Sequence, residues 1–265
     1  MDVIFTDLDG TLLDRDTYSW QEAGHALESL RRRRTPWVLV TSKTRAEVEF
    51  WRRGLKNRHP FIVENGGAAC IPHGYFPTAV PGARRLSSYE VMEWGAPYET
   101  LVEDLQACSR ESRCPVRGLH DMTAREIAAL AALPLEQALL AQQREYDEPF
   151  LVLDPDRAGA LTRAIEERGR RWTRGGRFWH ILGDHDKAAA VKELARLFAE
   201  WNAPIRTIGL GDALNDASFL NCVMVPVLIR SAQTGELKAR VPSGVVTDHA
   251  GPRGWNDAVL ALIGE

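Results

Sequence analysis

Three short β-rich apolar runs, at residues 3–6, 36–40 and 61–64, are separated by stretches long enough for one helix each. No other feature constrains the fold as strongly. Strands joined by a tight turn pair antiparallel, whereas strands joined through a helix return in the same direction and build a parallel sheet. Ser19 with Glu22, and Thr44 with Glu47, make capping-box patterns ahead of the two intervening helices. The arginines at 31–34 fall where the first helix should end, and there they complement its dipole. The same rhythm resumes from residue 186: helix 187–201, strand 206–210, helix 213–221, strand 223–228 and a last helix near 255–263.

Between these halves the pattern changes. Residues 98–108 and 123–143 read as helices, the second divided at Pro134, and 150–153 as a strand. A helix over 156–168 ends at Gly169, and the arms 171–173 and 177–182 flank Gly175-Gly176, a tight-turn signal for a hairpin. The expected architecture is therefore α/β. A Rossmann-like parallel-sheet core at 1–83 and 182–265 is interrupted by an α+β insert at 84–181.

A formal net charge of −3 argues against a partner bound through bulk positive charge, so no nucleic acid is expected. Cys70, Cys108, Cys114 and Cys222 form no C-x-x-C pair, which suits a reducing compartment better than a zinc site. No apolar run approaches the ~18 residues a membrane span requires. The first seven residues turn acidic at once and do not read as a signal peptide. The expectation is a cytoplasmic protein with no membrane partner.

The chemistry sits where strands stop. Phe5-Thr6-Asp7-Leu8-Asp9-Gly10-Thr11 sends two carboxylates off the carboxyl end of the first strand, where open α/β sheets place ligands. Crowded carboxylates repel unless a cation or shared proton compensates, and Mg²⁺ held by few carboxylates is the simplest answer. Gly209-Leu210-Gly211-Asp212-Ala213-Leu214-Asn215-Asp216 adds further acids at a second strand end. Ser42 closes the strand before Lys43 and Thr44, and Lys187 opens a helix after Asp184-His185-Asp186. Each signal alone is commonplace; four in this order, each at a strand end or helix start, describe one site.

This pattern resembles the haloacid-dehalogenase (HAD) superfamily at both ends of the chain. The resemblance implies that Asp7 attacks phosphorus to give an aspartyl-phosphate and that Asp9 is the general acid, then base. It implies that Ser42 hydrogen-bonds a phosphoryl oxygen and that Lys187 offsets charge on Asp7 and the phosphate. Asp212, Asp7 and the backbone carbonyl of Asp9 would bind Mg²⁺, with Asn215 and Asp216 supporting that shell. An acid at residue 9 marks phosphatases and phosphomutases rather than ion pumps of the superfamily.

The insert resembles the α/β cap of the sugar-phosphatase branch. Narrower strings are similar to the mannosyl-3-phosphoglycerate phosphatase family: Thr41-Ser42-Lys43-Thr44, Glu64-Asn65-Gly66-Gly67-Ala68, Arg144-Glu145-Tyr146-Asp147-Glu148-Pro149-Phe150, Thr173-Arg174-Gly175-Gly176-Arg177-Phe178-Trp179-His180-Ile181 and Gly183-Asp184-His185-Asp186-Lys187. Ala213-Leu214 departs from the small pair, such as Ser-Pro, expected between Asp212 and Asn215. The implied reaction is hydrolysis of a phosphorylated sugar-glycerate, 2-O-mannosyl-3-phosphoglycerate, to the compatible solute mannosylglycerate and phosphate. Lys43, Thr44 and Thr173 are expected at the substrate. Arg177 and the Gly175-Gly176 backbone suit its carboxylate side, and Glu148 its sugar hydroxyls. Another sugar phosphatase, for sucrose phosphate or a hexose phosphate, remains open, as do a phosphomannomutase and a non-catalytic sugar-phosphate sensor.

Overall fold

A computed structural model describes residues 1–175 and 178–264. The first part of the chain runs β1 (Asp2–Thr6), α1 (Gly24–Arg33), β2 (Trp37–Val40), α2 (Arg45–Leu55), β3 (Phe61–Val63) and β4 (Ala68–Pro72), then β5 (Arg84–Leu86) and β6 (Tyr89–Glu93). The middle holds α3 (Tyr98–Ser112), β7 (Val116–Gly118), α4 (Ala124–Ala131), α5 (Leu135–Ala141), β8 (Asp147–Val152), α6 (Ala158–Glu167), β9 (Arg171–Arg174) and β10 (Trp179–Leu182). The last part runs α7 (Lys187–Asn202), β11 (Arg206–Gly211), α8 (Ala217–Leu220), β12 (Val225–Arg230), α9 (Thr234–Arg240), β13 (Val245–Ala250) and α10 (Gly251–Ile263).

Nine strands form one sheet in the order β13-β12-β11-β1-β2-β3-β4-β6-β5. It is parallel from β13 to β3, and β4, β6 and β5 add an antiparallel edge. Strands β1, β2 and β11 are buried on both faces, which is why they read as unbroken apolar runs. One face packs on α1 and α10 through Leu27, Leu30, Trp255 and Val259; the other packs on α7 through Val191, Leu194 and Phe198. The chain steps outward from β1 to β2 on one side and returns to β11 on the other. The carboxyl end of β1 is thus a topological switch point.

The second sheet, β7-β8-β10-β9, is wholly antiparallel. Phe150 and Ile181 on one of its faces pack against Leu101, Leu105, Leu161 and Ile165 of α3 and α6. Residues 84–93, expected in the insert, instead extend the large sheet: β6 pairs with β4, and β5 with β6. Their mostly half-exposed side chains gave no apolar run to reveal this.

Several local expectations also shift. Thr44 and Glu47 make the full capping box of α2. Ser19 does not cap α1, because its hydroxyl accepts the Gln21 N–H and a 3₁₀ turn leads into Gly24. The helix expected over 213–221 divides into a 3₁₀ turn and the short α8, and the strand expected at 150–153 starts at Asp147. That last shift changes the reading of the site.

Candidate active site

Asp7 follows β1 directly, its backbone N–H held by the Leu210 carbonyl at 2.9 Å. Gly10, three residues on, has φ +80, and a Cβ there would stand 2.7 Å from Asp212 Oδ2. Only glycine allows the loop to turn back beneath that carboxylate. Asp212 follows β11 and accepts from Thr11 Oγ1 at 3.0 Å, while its backbone carbonyl accepts from Ser231 Oγ at 2.7 Å.

Lys187 opens α7, with Asp186 capping the helix by accepting the Ala189 N–H. Its fully buried ammonium donates to Asp7 Oδ1 at 2.8 Å and Asp216 Oδ1 at 2.6 Å. Burial alone would lower the Lys187 pKa, but Asp216 and Asp7 outweigh it and the ammonium is held above its ordinary range. The other oxygen of Asp216 accepts the backbone N–H groups of Asp212 and Ala213, both at 3.0 Å, so this carboxylate organises the loop that carries Asp212.

Carboxylate oxygens of Asp7, Asp212 and Asp216 lie within 4.8 Å of one another. Three carboxylates against one ammonium leave two negative charges, and the donors are all oxygen. Burial, with Asp216 adding to it at both sites, pushes Asp7 well above the usual carboxylate range and Asp212 up to about 7. The donor set fits a hard divalent cation.

Asp9 lies at the mouth, and its Oδ2 pairs with Lys43 Nζ at 2.9 Å. Its Oδ1 is buried and has no hydrogen-bond partner among the described residues. Lys43 also reaches Glu47 Oε1 at 3.5 Å and lies over the Tyr18 ring. Asp7, Asp9, Ser42, Lys43, Asp212 and Asn215 share a cavity of about 260 Å³. Its far wall is the small sheet and α4–α5, through Leu119, Ile127, Pro149, Gly175, Phe178 and His180.

Other expected residues lie elsewhere. Thr44 caps α2, and its hydroxyl donates to the Leu140 carbonyl at 2.9 Å; it does not line the cavity. Glu148 also lies away from the cavity. Because β8 starts at Asp147, alternation sends Asp147 and Pro149 to the cavity face but Glu148 to the helix-covered face. There its oxygens accept from Tyr98 Oη at 2.7 Å and the His120 N–H at 2.9 Å; it is buried and does not line the cavity. Thr173 is on β9 opposite His180 and does not line the cavity, while Gly175 does. Gly176 and Arg177 lie outside the described residues.

The sequence reading gave no role to the buried polar seam between the two sheets. Glu64, at the end of β3, accepts the backbone N–H groups of Glu145, Tyr146 and Asp147. Arg144 donates to the Ser42 carbonyl at 3.0 Å and pairs with Asp147. Asn65 donates to Asp147 Oδ2 at 2.9 Å and accepts from Asn215 at 3.1 Å, so the Asp212 loop is tied to β8. Burial raises the Glu64 carboxyl from 4.5 to about 7, against Arg144 and the backbone donors that lower it. The folded state therefore keeps a proton that the unfolded chain releases near 4.5. Glu64 contributes stability below that pH, and the contribution is lost as pH rises to about 7. Thermal melts across pH 4.5–8 should show Glu64→Gln flattening this decline, and a parallel decline in the variant would assign it elsewhere.

Residues 4–75 match the family model of haloacid dehalogenase-like hydrolases. A glucosyl-3-phosphoglycerate/mannosyl-3-phosphoglycerate phosphatase of Methanococcoides burtonii is 39% identical over 99% of this chain and 97% of its own. The chain belongs to the mannosyl-3-phosphoglycerate phosphatase family. A mannosyl-3-phosphoglycerate phosphatase of Pyrococcus furiosus is 34% identical, over 86% of this chain and 90% of its own. Among solved structures, a subclass IIB sugar phosphatase of the HAD superfamily superposes with a TM-score of 0.68 at 18% identity, covering 100% of this chain and 99% of that one. That likeness shows the fold: a HAD-type parallel-sheet core with an inserted α+β cap. Members of the mannosyl-3-phosphoglycerate phosphatase family are phosphoric monoester hydrolases.

Proposed function

We propose that this protein hydrolyses mannosyl-3-phosphoglycerate, and its glucosyl counterpart, to the glycosylglycerate and phosphate. The observation that carries the reading is Asp7, fixed by Lys187 on the floor of a cavity roofed by the cap. In the first step an Asp7 carboxylate oxygen attacks phosphorus while the bond from phosphorus to the glycerate oxygen breaks, leaving an aspartyl-phosphate. Asp9 gives its proton to the departing oxygen, and Lys43, 2.9 Å away, stabilises the carboxylate that remains. Asp9 then takes a proton from the water that releases phosphate and regenerates Asp7. Ser42 donates to a phosphoryl oxygen, and Arg144, by holding the Ser42 carbonyl, fixes that loop. Asp7, Asp212 and the Asp9 carbonyl would hold Mg²⁺, which supplies charge neutralisation for the transferring phosphoryl group. Lys187 keeps Asp7 aligned and lowers the cost of bringing a phosphate dianion beside it. We place the cap between the linkers at 94–97 and 183–186, since 84–93 belong to the large sheet.

Both sugars are proposed because the relative matched over nearly its full length carries both in its name. The protein should be assayed for phosphate release from mannosyl- and glucosyl-3-phosphoglycerate, sucrose phosphate and hexose phosphates, with Mg²⁺ and after chelation. Both glycosyl-3-phosphoglycerates should be preferred, and chelation should abolish turnover until Mg²⁺ is returned. Preference for sucrose phosphate, formation of an isomerised sugar phosphate, or undiminished activity in chelator would overturn the reading.

A further inference from the structure

His180 lies on β10, directly opposite Pro149 of β8, and both side chains face the cavity that holds Asp7 and Asp9. Its Nδ1 is 3.1 Å from Asp147 Oδ2. That carboxylate is paired with Arg144 and already accepts from Asn65, so it has no proton to give and the hydrogen of this bond belongs to the imidazole. Burial first, then the charges of Arg144 and Lys187, hold the His180 pKa down at about 3, so the ring is neutral near pH 7. A neutral ring with its hydrogen on Nδ1 presents a bare lone pair at Nε2. No described protein group donates to that nitrogen. Beside it is Gly175, which has no side chain to set against it; even a Cβ there would remain 3.6 Å away.

We infer that His180 is a specificity-determining residue, whose Nε2 accepts a hydrogen bond from one hydroxyl of the substrate's sugar. The inference rests on the proposed substrate class. A phosphoryl oxygen or the glycerate carboxylate could not fill this role, because both are acceptors facing an acceptor. Beside His180 the cavity is lined by Leu119, Ile127, Pro149 and Phe178 as well as Arg144, which is paired with Asp147. A ligand lacking the donor therefore leaves the Nε2 acceptor of a buried residue unpaired, which is what makes rejection strong. Asp147 positions the ring, and the bonds from Asn65 and Asn215 connect that position to the Asp212 loop.

The test uses the full chain with Mg²⁺ and compares kcat/KM for mannosyl-3-phosphoglycerate, its monodeoxy-mannosyl analogues and p-nitrophenyl phosphate. In the unsubstituted enzyme, one deoxy position should lower kcat/KM about 10- to 100-fold relative to the parent sugar. In His180→Leu the parent should fall by a similar factor, that deoxy analogue should now equal the parent, and p-nitrophenyl phosphate should change less than about threefold. His180→Gln, which keeps a carbonyl acceptor, should recover part of the loss and serves where the Leu variant melts early. Equal deoxy penalties with and without His180, or an equal loss on p-nitrophenyl phosphate, would overturn the inference. Absence of turnover of any glycosyl-3-phosphoglycerate by the unsubstituted enzyme would instead overturn the substrate assignment, and the inference with it.

Discussion

Asp7→Asn is expected to abolish phosphate release, by at least about 10⁴-fold, while leaving the protein folded. Asn has the same shape and still accepts from Lys187, so the 2.8 Å contact that positions the side chain can persist. What it lacks is a nucleophilic oxygen that can form and later release an acyl-phosphate. The substitution also removes a buried carboxylate whose ionisation is opposed by burial and by Asp216 and Asp212. Thermal stability without added metal should therefore stay level or rise. Phosphate release and melting temperature, measured on the same preparation, separate the two effects. Turnover near that of the unsubstituted enzyme would remove Asp7 from the nucleophile role, and loss of folding would mean its charge is structural.

The residues at this floor were legible because each lies where a local pattern changes. Asp7 and Asp212 follow apolar runs that became β1 and β11, and Lys187 follows an acidic cap that became the start of α7. Such boundaries need only a few neighbouring residues to be read. Thr44 and Glu148, expected at the substrate, lie off the cavity for the same reason in reverse. The Thr44 capping box was correctly seen, yet a hydroxyl used to cap a helix and bond Leu140 is not free for a ligand. The place of Glu148 depends on where β8 begins, and a start at Asp147 rather than at 150 puts it on the covered face of a sheet. Strand β13 escaped notice because, at the sheet edge, its exposed and half-exposed side chains make no apolar run. The seam through Glu64, Arg144, Asp147 and His180 joins residues far apart in the chain, with Glu64 meeting Tyr146 across 82 positions. Only the docking of one sheet on the other creates it, and no local propensity encodes that.

Lys187→Met is expected to cost both activity and stability, and the two losses should respond differently to a second substitution. The buried ammonium is the shared partner of Asp7 and Asp216, so its removal leaves two buried carboxylates facing each other. Breaking a buried pair from one side typically costs about 3–5 kcal/mol, because the charge left behind has lost its compensation without regaining water. Met fills a similar length and keeps contact with the Phe219 ring, over which the ammonium lies, so a packing defect contributes little. Adding Asp216→Asn removes one of the stranded charges. Its amide oxygen can still accept the Asp212 and Ala213 N–H groups that hold the metal-side loop. The double variant should therefore regain much of the stability measured by denaturant unfolding, with a coupling energy opposite in sign to the single-variant losses. Turnover should not return, remaining down by roughly 10³-fold or more, since the cation beside Asp7 and the incoming phosphate is still missing. A single variant as stable as the parent would show that Asp7 and Asp216 do not depend on Lys187 in the folded state. Recovery of turnover in the double variant would show that Lys187 serves the fold and not the phosphoryl transfer.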